Sequence, residues 1–228
     1  MKDDRARDLV AFDIDGTLIN SPNGWTVWEI LNERFTGTAE HNRTRFAEYQ
    51  AGRLSSAEWV KLDVRGWQEA GATRDQLIEA FADLKPIGHV RETLDELKQA
   101  GCLLIVISGT LDLMLNSVLP DAQFDEVYAN HIGFDDNDLI SHWEATPFDM
   151  DGKAALLRAV AMRHGIGLDR CAYVGDSSND VWIAKTAGFS IALNPKSDEL
   201  IECSSITLRG DDLRVILDPI LKGVATQP

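Results

Sequence analysis

The chain has no apolar run approaching the ~20 residues a membrane-spanning helix needs, and Met1 to Asp8 is charged rather than basic-then-apolar. A cytoplasmic protein without a membrane partner is therefore expected. Basic residues are scarce: 22 lysines and arginines stand against 37 acids, for a formal charge of −15. That excludes the basic stripe a nucleic-acid backbone requires, and an anionic membrane surface would repel the chain. Cysteine is sparse and odd in number. Cys102, Cys171 and Cys203 lack metal-type spacing, so a disulfide framework or zinc site is set aside in favour of small core hydrophobes in a reducing compartment. Repeats, low-complexity tracts and an evident flexible linker are missing too.

What is present is length. The 228 residues suit one α/β domain with an insertion, or two small domains, with a sizeable core. Leu9 to Ile14 is a short apolar run that reads as a buried strand and ends in Asp13-Ile14-Asp15-Gly16-Thr17. An Asp-Gly step after a strand is also a common turn signal, and Asp-x-Asp-Gly opens calcium loops. Those loops continue with further acids and a closing Glu, which this chain lacks.

From Asn20 to Lys85 the chain reads as helical. Ser21-Pro22 suits a helix start with Trp28, Leu31 and Phe35 on one face. Ser55-Ser56-Ala57-Glu58 is a capping box ahead of Trp59, Val60, Val64 and Trp67, and Thr73 with Gln76 caps a third helix that Pro86 stops. Trp25, Trp28, Trp59 and Trp67 either build the small core of this bundle or face a ligand. From Pro86 onward helices and strands alternate, which implies a parallel sheet wrapped by crossover helices. Leu103 to Ile107 is a strand buried on both faces, followed by Ser108-Gly109-Thr110. A strand follows near Glu126 to Asn130, and Asp135-Asp136-Asn137-Asp138 turns a hairpin. Lys153 opens an Ala- and Leu-rich helix. Ala172-Tyr173-Val174 is a strand broken by Gly175-Asp176-Ser177-Ser178-Asn179-Asp180. The fold class expected is α/β: a doubly wound parallel sheet from 1–19 and 86–228, with a helical cap domain inserted at 20–85.

In open α/β sheets ligands bind beyond the carboxyl ends of strands. Asp13 with Asp15, Ser108, and Asp176 with Asp180 each directly follow a strand, so the fold gathers them on one edge. Singly, each has an ordinary alternative: a turn, a helix cap, an exposed lysine. Together and in this order, Asp13-x-Asp15-Gly-Thr17, Ser108-Gly109, Lys153 and Gly175-Asp176-x-x-Asn179-Asp180 resemble the signatures of the haloacid dehalogenase superfamily. The helical segment between the first and second signatures resembles its phosphoserine phosphatase type, and the likeness covers nearly the whole chain.

The resemblance implies a Mg²⁺-dependent phosphatase acting on a small phosphomonoester. Asp13 would attack phosphorus and form an aspartyl phosphate, and Asp15 would serve as acid and then base. Asp13, the backbone carbonyl of Asp15, and Asp176 would hold Mg²⁺, supported by Asn179 and Asp180. Ser108, the Gly109 amide and Lys153 would bind phosphoryl oxygens, and Thr17 would order the loop. The insertion would be a mobile lid. Phosphotransfer to an alcohol remains open, as does a receiver-like phospho-accepting module, although receivers lack a second carboxylate such as Asp15. Phosphoserine itself is disfavoured. In phosphoserine-specific relatives an acid five residues past the motif's Thr and an Arg in a cap helix hold the amino acid, and those places fall here on Pro22 and Asp63. Trp25, Trp28, Asp63 and Arg65 are the substrate-contact candidates in the cap.

Overall fold

The computed structural model describes residues 7–147 and 151–223. The outer parts of the expected core span, 1–6, 148–150 and 224–228, lie outside the described residues. The chain runs β1 (Leu9–Phe12), β2 (Ile19–Asn20), α1 (Val27–Thr36), α2 (Glu40–Gln50), α3 (Ser56–Glu69), α4 (Arg74–Ala80), β3 (Lys85–Pro86) and α5 (Val90–Gln99). It continues through β4 (Leu103–Leu111), α6 (Asp112–Val118), β5 (Glu126–Phe134), β6 (Ile140–Glu144), α7 (Asp151–Arg163) and β7 (Cys171–Gly175). It closes with α8 (Val181–Ala184), β8 (Phe189–Leu193), α9 (Asp198–Cys203), β9 (Ile206–Leu208) and α10 (Leu217–Leu221).

The main sheet has seven strands in the order β6-β5-β4-β1-β7-β8-β9, parallel except for β6 at one edge. Strand order reverses beside β1, and the crossovers place helices on both faces, as a doubly wound sheet requires. The alternation along β1 divides the core. Val10 and Phe12 pack with α5, α6, α10 and the inserted helices, while Leu9 and Ala11 pack with α7, α8 and α9. Asp13 continues the Leu9–Ala11 side, toward α7.

The inserted helices α1 to α4 leave through β2 and return through β3, which pair antiparallel as Ile19 with Pro86 and Asn20 with Lys85. Three capping boxes start α1, α3 and α4 at Thr26/Glu29, Ser55/Glu58 and Thr73/Gln76. The first corrects the expected helix start. Ser21 to Gly24 is a turn, with the Gly24 N–H donating to the Ser21 carbonyl at 3.0 Å and Gly24 at φ 74°, so the helix begins only after Thr26. Pro86 likewise stops no helix: α4 ends at Ala80, and Pro86, which has no N–H, takes its place in the two-residue ribbon. The apolar cluster on this face of the sheet runs without a break into Trp28, Leu31, Val64, Trp67 and Leu77 of the insertion.

Candidate active site

β1 ends at Phe12, and the Asp13 N–H still donates to the Val174 carbonyl of β7 at 3.0 Å, so Asp13 is fixed at the sheet edge. The chain then turns at Gly16 (φ 84°), with Thr17 and Leu18 N–H groups returning to the Ile14 carbonyl at 3.1 and 3.0 Å. A Cβ at Gly16 would lie 2.2 Å from Asp176 Oδ2 and 2.6 Å from Lys196 Nζ. Glycine is needed there for its left-handed backbone and for the close approach of Asp176. Thr17 is buried and lies outside the cavity wall, and its hydroxyl has no hydrogen-bond partner among the described residues.

A cavity of about 340 Å³ opens over these strand ends. Its floor is Asp13, Asp15, Ser108, Gly109, Thr110, Asp176, Ser177, Ser178, Asn179 and Lys196. Ser108 is buried, and its hydroxyl accepts from the Thr110 N–H at 3.3 Å. The Gly109 carbonyl accepts from Trp28 Nε1 at 2.9 Å and from Asn130 Nδ2 at 2.6 Å, which fixes the end of β4 against the insertion.

Lys153 sits behind this floor. It is fully buried, and its ammonium donates to Asp13 Oδ1 and Asp180 Oδ1, both at 2.7 Å. The lysine expected to bind phosphate is thus held beside Asp13 and Asp180 at the strand ends. Asp180 is the third acid near Asp13 and Asp176, but its oxygens are already engaged. Oδ2 accepts from the N–H groups of Asp176 and Ser177 at 2.9 and 3.1 Å, and Oδ1 accepts from Lys153 and the buried Tyr173 hydroxyl. It braces the others. Asn179 faces the cavity and accepts from the Ser177 hydroxyl at 2.6 Å.

Asp176 differs. It is buried, and among the described residues neither carboxylate oxygen receives an aligned hydrogen bond; the Lys196 ammonium lies 2.8 Å from Oδ2 as an ion pair without that alignment. A buried carboxylate so sparsely supported suits a small hard cation coordinated by oxygens, and the Asp13 carboxylate is within reach of the same ion. The residues present, Asp13 and Asp176 with Asp180 beside them and one oxygen from each within 4.8 Å of the others, fit a metal cation.

The electrostatics follow from crowding acids in low dielectric. Burial lifts Asp13 to about 6 against the pull of Lys153. Burial, then the Asp13 charge, lifts Asp15 to about 7, and burial lifts Asp176 to about 7 with Lys196 opposing. Burial works to lower Lys153, but Asp13 and Asp180 outweigh it and hold the ammonium above its ordinary value.

The cap-side expectations fare unevenly. Trp28 lines the cavity. Trp25 lines a separate outer groove with Pro22 and Leu84. Asp63 does not face the cavity: it is fully buried in α3, where Arg45 pairs with it and Asn42 Nδ2 donates to it at 3.1 Å. Arg65 is exposed and is absent from the cavity wall. The residues that do line the insertion's side include Thr26, Glu29, Asn42, Arg43, Phe46 and Trp59. Lys196, Thr110 and Arg43 line the cavity and are not among the residues the sequence pointed to. Lys196 had a readable signal, a lysine just past the strand next to the one carrying Asp176; Arg43 had none, because α2 is too polar to show its inward face.

A family model described as haloacid dehalogenase-like hydrolase matches residues 10–185. The chain is similar to a phosphoserine phosphatase of Methanocaldococcus jannaschii, 28% identical over 214 residues, covering 94% of this chain and 98% of the relative. It is also similar to a phosphoglycolate phosphatase of Vibrio vulnificus, 27% identical and covering 93% of this chain and 96% of that one. A solved phospho-aspartyl intermediate analogue of phosphoserine phosphatase superposes with a TM-score of 0.74 at 29% identity, covering 95% of this chain and all of the other (100%).

Proposed function

Since the chain belongs to the haloacid dehalogenase-like hydrolase family, we propose that its strand-end acids hydrolyse a small phosphomonoester through an aspartyl phosphate, with Mg²⁺ as the metal. It is a phosphatase. The observation that carries the mechanism is the pair Asp13 and Asp15 on one cavity floor, with Lys153 Nζ 2.7 Å behind Asp13 and Asp176 left without an aligned donor. Residues 20–85 act in this reading as a cap domain over a core of 1–19 and 86–228, supported by the Asn20–Lys85 pairing and by the cavity wall the insertion supplies.

Asp13 supplies the nucleophilic oxygen. Its bond to phosphorus forms as the bond from phosphorus to the leaving oxygen breaks, and Lys153 holds it in line by fixing Oδ1. Asp15 donates its proton to the leaving oxygen, then takes one from water as that water's oxygen attacks phosphorus and frees Asp13. A carboxyl near pKa 7 is present in both forms at neutral pH, which suits both steps. Ser108 and the Gly109 amide are placed to hold phosphoryl oxygens. When bound, the cation neutralises charge on the transferring group. Lys196 adds a further positive charge at the cavity floor.

Release of phosphate from phenyl phosphate, with Mg²⁺ and with a chelator, tests this. We expect activity only with the metal. Asp13→Asn, folded to within a few degrees in thermal unfolding, should lose on the order of 10³-fold in kcat, about 4 kcal/mol of barrier. Parent-level turnover by that variant would overturn the mechanism.

A further inference from the structure

The insertion's side of the cavity is one-sided in its polarity. Glu29 is the carboxylate on that wall, and both its oxygens are committed. Oε2 accepts from the Thr26 N–H at 2.9 Å and its hydroxyl at 3.2 Å, and Oε1 accepts from Arg43 Nε at 2.8 Å. Asp63, the next acid inward, is enclosed with Arg45 and Asn42. An ammonium group entering here finds only a carboxylate already neutralised by the Arg43 guanidinium. Donors are available instead. Arg43 spends its Nε on Glu29, its Nη1 stands 3.8 Å from Glu40, too far for a hydrogen bond, and its guanidinium lies over the Trp25 ring at 5.5 Å. Trp59 is 7% exposed and lines the cavity, and its indole N–H has no acceptor among the described residues. A buried N–H left unmatched costs about as much as a lost hydrogen bond, so a ligand acceptor is the natural partner. Beside Thr26 and Asn42 the rest of this wall is aromatic: Trp28, Phe46 and Trp59 line it, and the Trp59 ring meets Phe46 at 5.6 Å and Trp28 at 6.4 Å, with Tyr49 packed on it at 5.7 Å.

We infer that the alcohol half of the substrate is a flat, largely apolar group that carries a carboxylate and no ammonium, selected by Arg43 and Trp59. This assignment rests on the phosphatase chemistry proposed above. A guanidinium fork pairs with a carboxylate in two parallel hydrogen bonds, and the indole supplies both a face for stacking and one further donor. The ammonium of a phospho-amino acid would instead lose its water and gain no unpaired carboxylate on this wall.

The test compares kcat/KM for four phosphomonoesters on the full chain with saturating Mg²⁺: phenyl phosphate, 4-carboxyphenyl phosphate, O-phospho-L-serine and 3-phosphoglycerate. The last two share a carbon frame and differ in ammonium against hydroxyl. We expect 4-carboxyphenyl phosphate to exceed phenyl phosphate about tenfold or more, chiefly through KM, and 3-phosphoglycerate to exceed phosphoserine. Arg43→Gln should bring the first ratio close to one, Arg43→Lys should recover part of it, and Trp59→Phe, which keeps a ring but loses the N–H, should lower it. The Gln variant also corrects for the small difference in leaving-group acidity between the two aryl esters. If none of the four is hydrolysed, the phosphatase mechanism falls and this assignment with it. If phenyl phosphate is turned over but its carboxylated form has no advantage, or the advantage survives Arg43→Gln, or phosphoserine outruns 3-phosphoglycerate, the selectivity assignment alone is wrong. The parent comparison needs no variant to fold.

Discussion

Asp15 and Asp13 are two residues apart and chemically unlike. Asp13 has a lysine fixed on one oxygen, whereas Asp15 feels burial and its neighbour's negative charge, with Lys196 a lesser counterweight. In the proposed mechanism these surroundings suit Asp13 to the nucleophile's part and Asp15 to the proton carrier's. We therefore expect Asp15→Asn to lose kcat most on alkyl phosphates, whose leaving oxygen needs a proton. The loss should be at least ~10-fold smaller on 4-nitrophenyl phosphate, whose leaving group departs as an anion. Equal losses on the two would remove Asp15 from the proton path. At this scale Asp13 and Asp176 were legible because each directly follows a strand, β1 and β7; Ser108, expected just past its strand, lies inside β4, whose pairing with β5 skips from Ile107 to Leu111 and carries the strand beyond its aliphatic run. The cap-side residues were not. Counting along the chain placed Asp63 at the substrate, yet α3 turns it inward to Arg45, and helix orientation is not encoded in a count from a distant motif.

Among elements, α2 stands apart from its neighbours in the insertion. α1 is tied to the floor by Trp28 Nε1 on the Gly109 carbonyl. α3 and α4 are tied to the β5–β6 hairpin, by Gln68 Nε2 on the Ile140 carbonyl at 2.8 Å and the Arg74 N–H on the Asp138 carbonyl at 2.9 Å. α2 packs on α1 and α3, lacks a side-chain cap at its start, and carries Arg43 and Phe46 of the cavity wall. We therefore expect closure around substrate to move α2 and its flanking turns more than the rest of the insertion. Hydrogen exchange with Mg²⁺ and a phosphate analogue should slow at 37–55 and change little in α3; uniform slowing across 20–85 would restore the whole insertion as the mobile lid. The same polarity explains what was unreadable here. α3 and α4 announce themselves by capping boxes and apolar stripes, α1 by its apolar stripe alone because Ser21-Pro22 competes with Thr26/Glu29 as a start signal, and the core strands by unbroken aliphatic runs. α2, with Glu-His-Asn-Arg-Thr-Arg at its start, has neither signal.

At the scale of the whole molecule, the site sets the pH response of stability. Asp13, Asp15 and Asp176 bind protons in the folded chain up to about 6, 7 and 7, against about 3.8 when unfolded. Between those values the folded state holds more protons than the unfolded, so metal-free stability falls as pH rises from about 4 to about 7. The surface acids held low, Asp212 at about 2 together with Glu48 and Glu58, act the other way and only below about 4.5. A metal-free optimum on the acid side of neutrality results. A bound cation favours the ionised acids, so stabilisation by Mg²⁺ should grow with pH and level off near 7. Calorimetric Tm values from pH 4 to 8, in chelator and in Mg²⁺, check both trends; a chelator curve that climbs from 4 to 7 would contradict them. The pairing of Ile19–Asn20 with Lys85–Pro86 bears on a different question, how such a protein diversifies. Because the inserted helices depart and return at one two-rung ladder, an ancestor could lengthen, exchange or repaint them without displacing a strand end. Selectivity and reaction are thereby inherited on separate stretches of the gene.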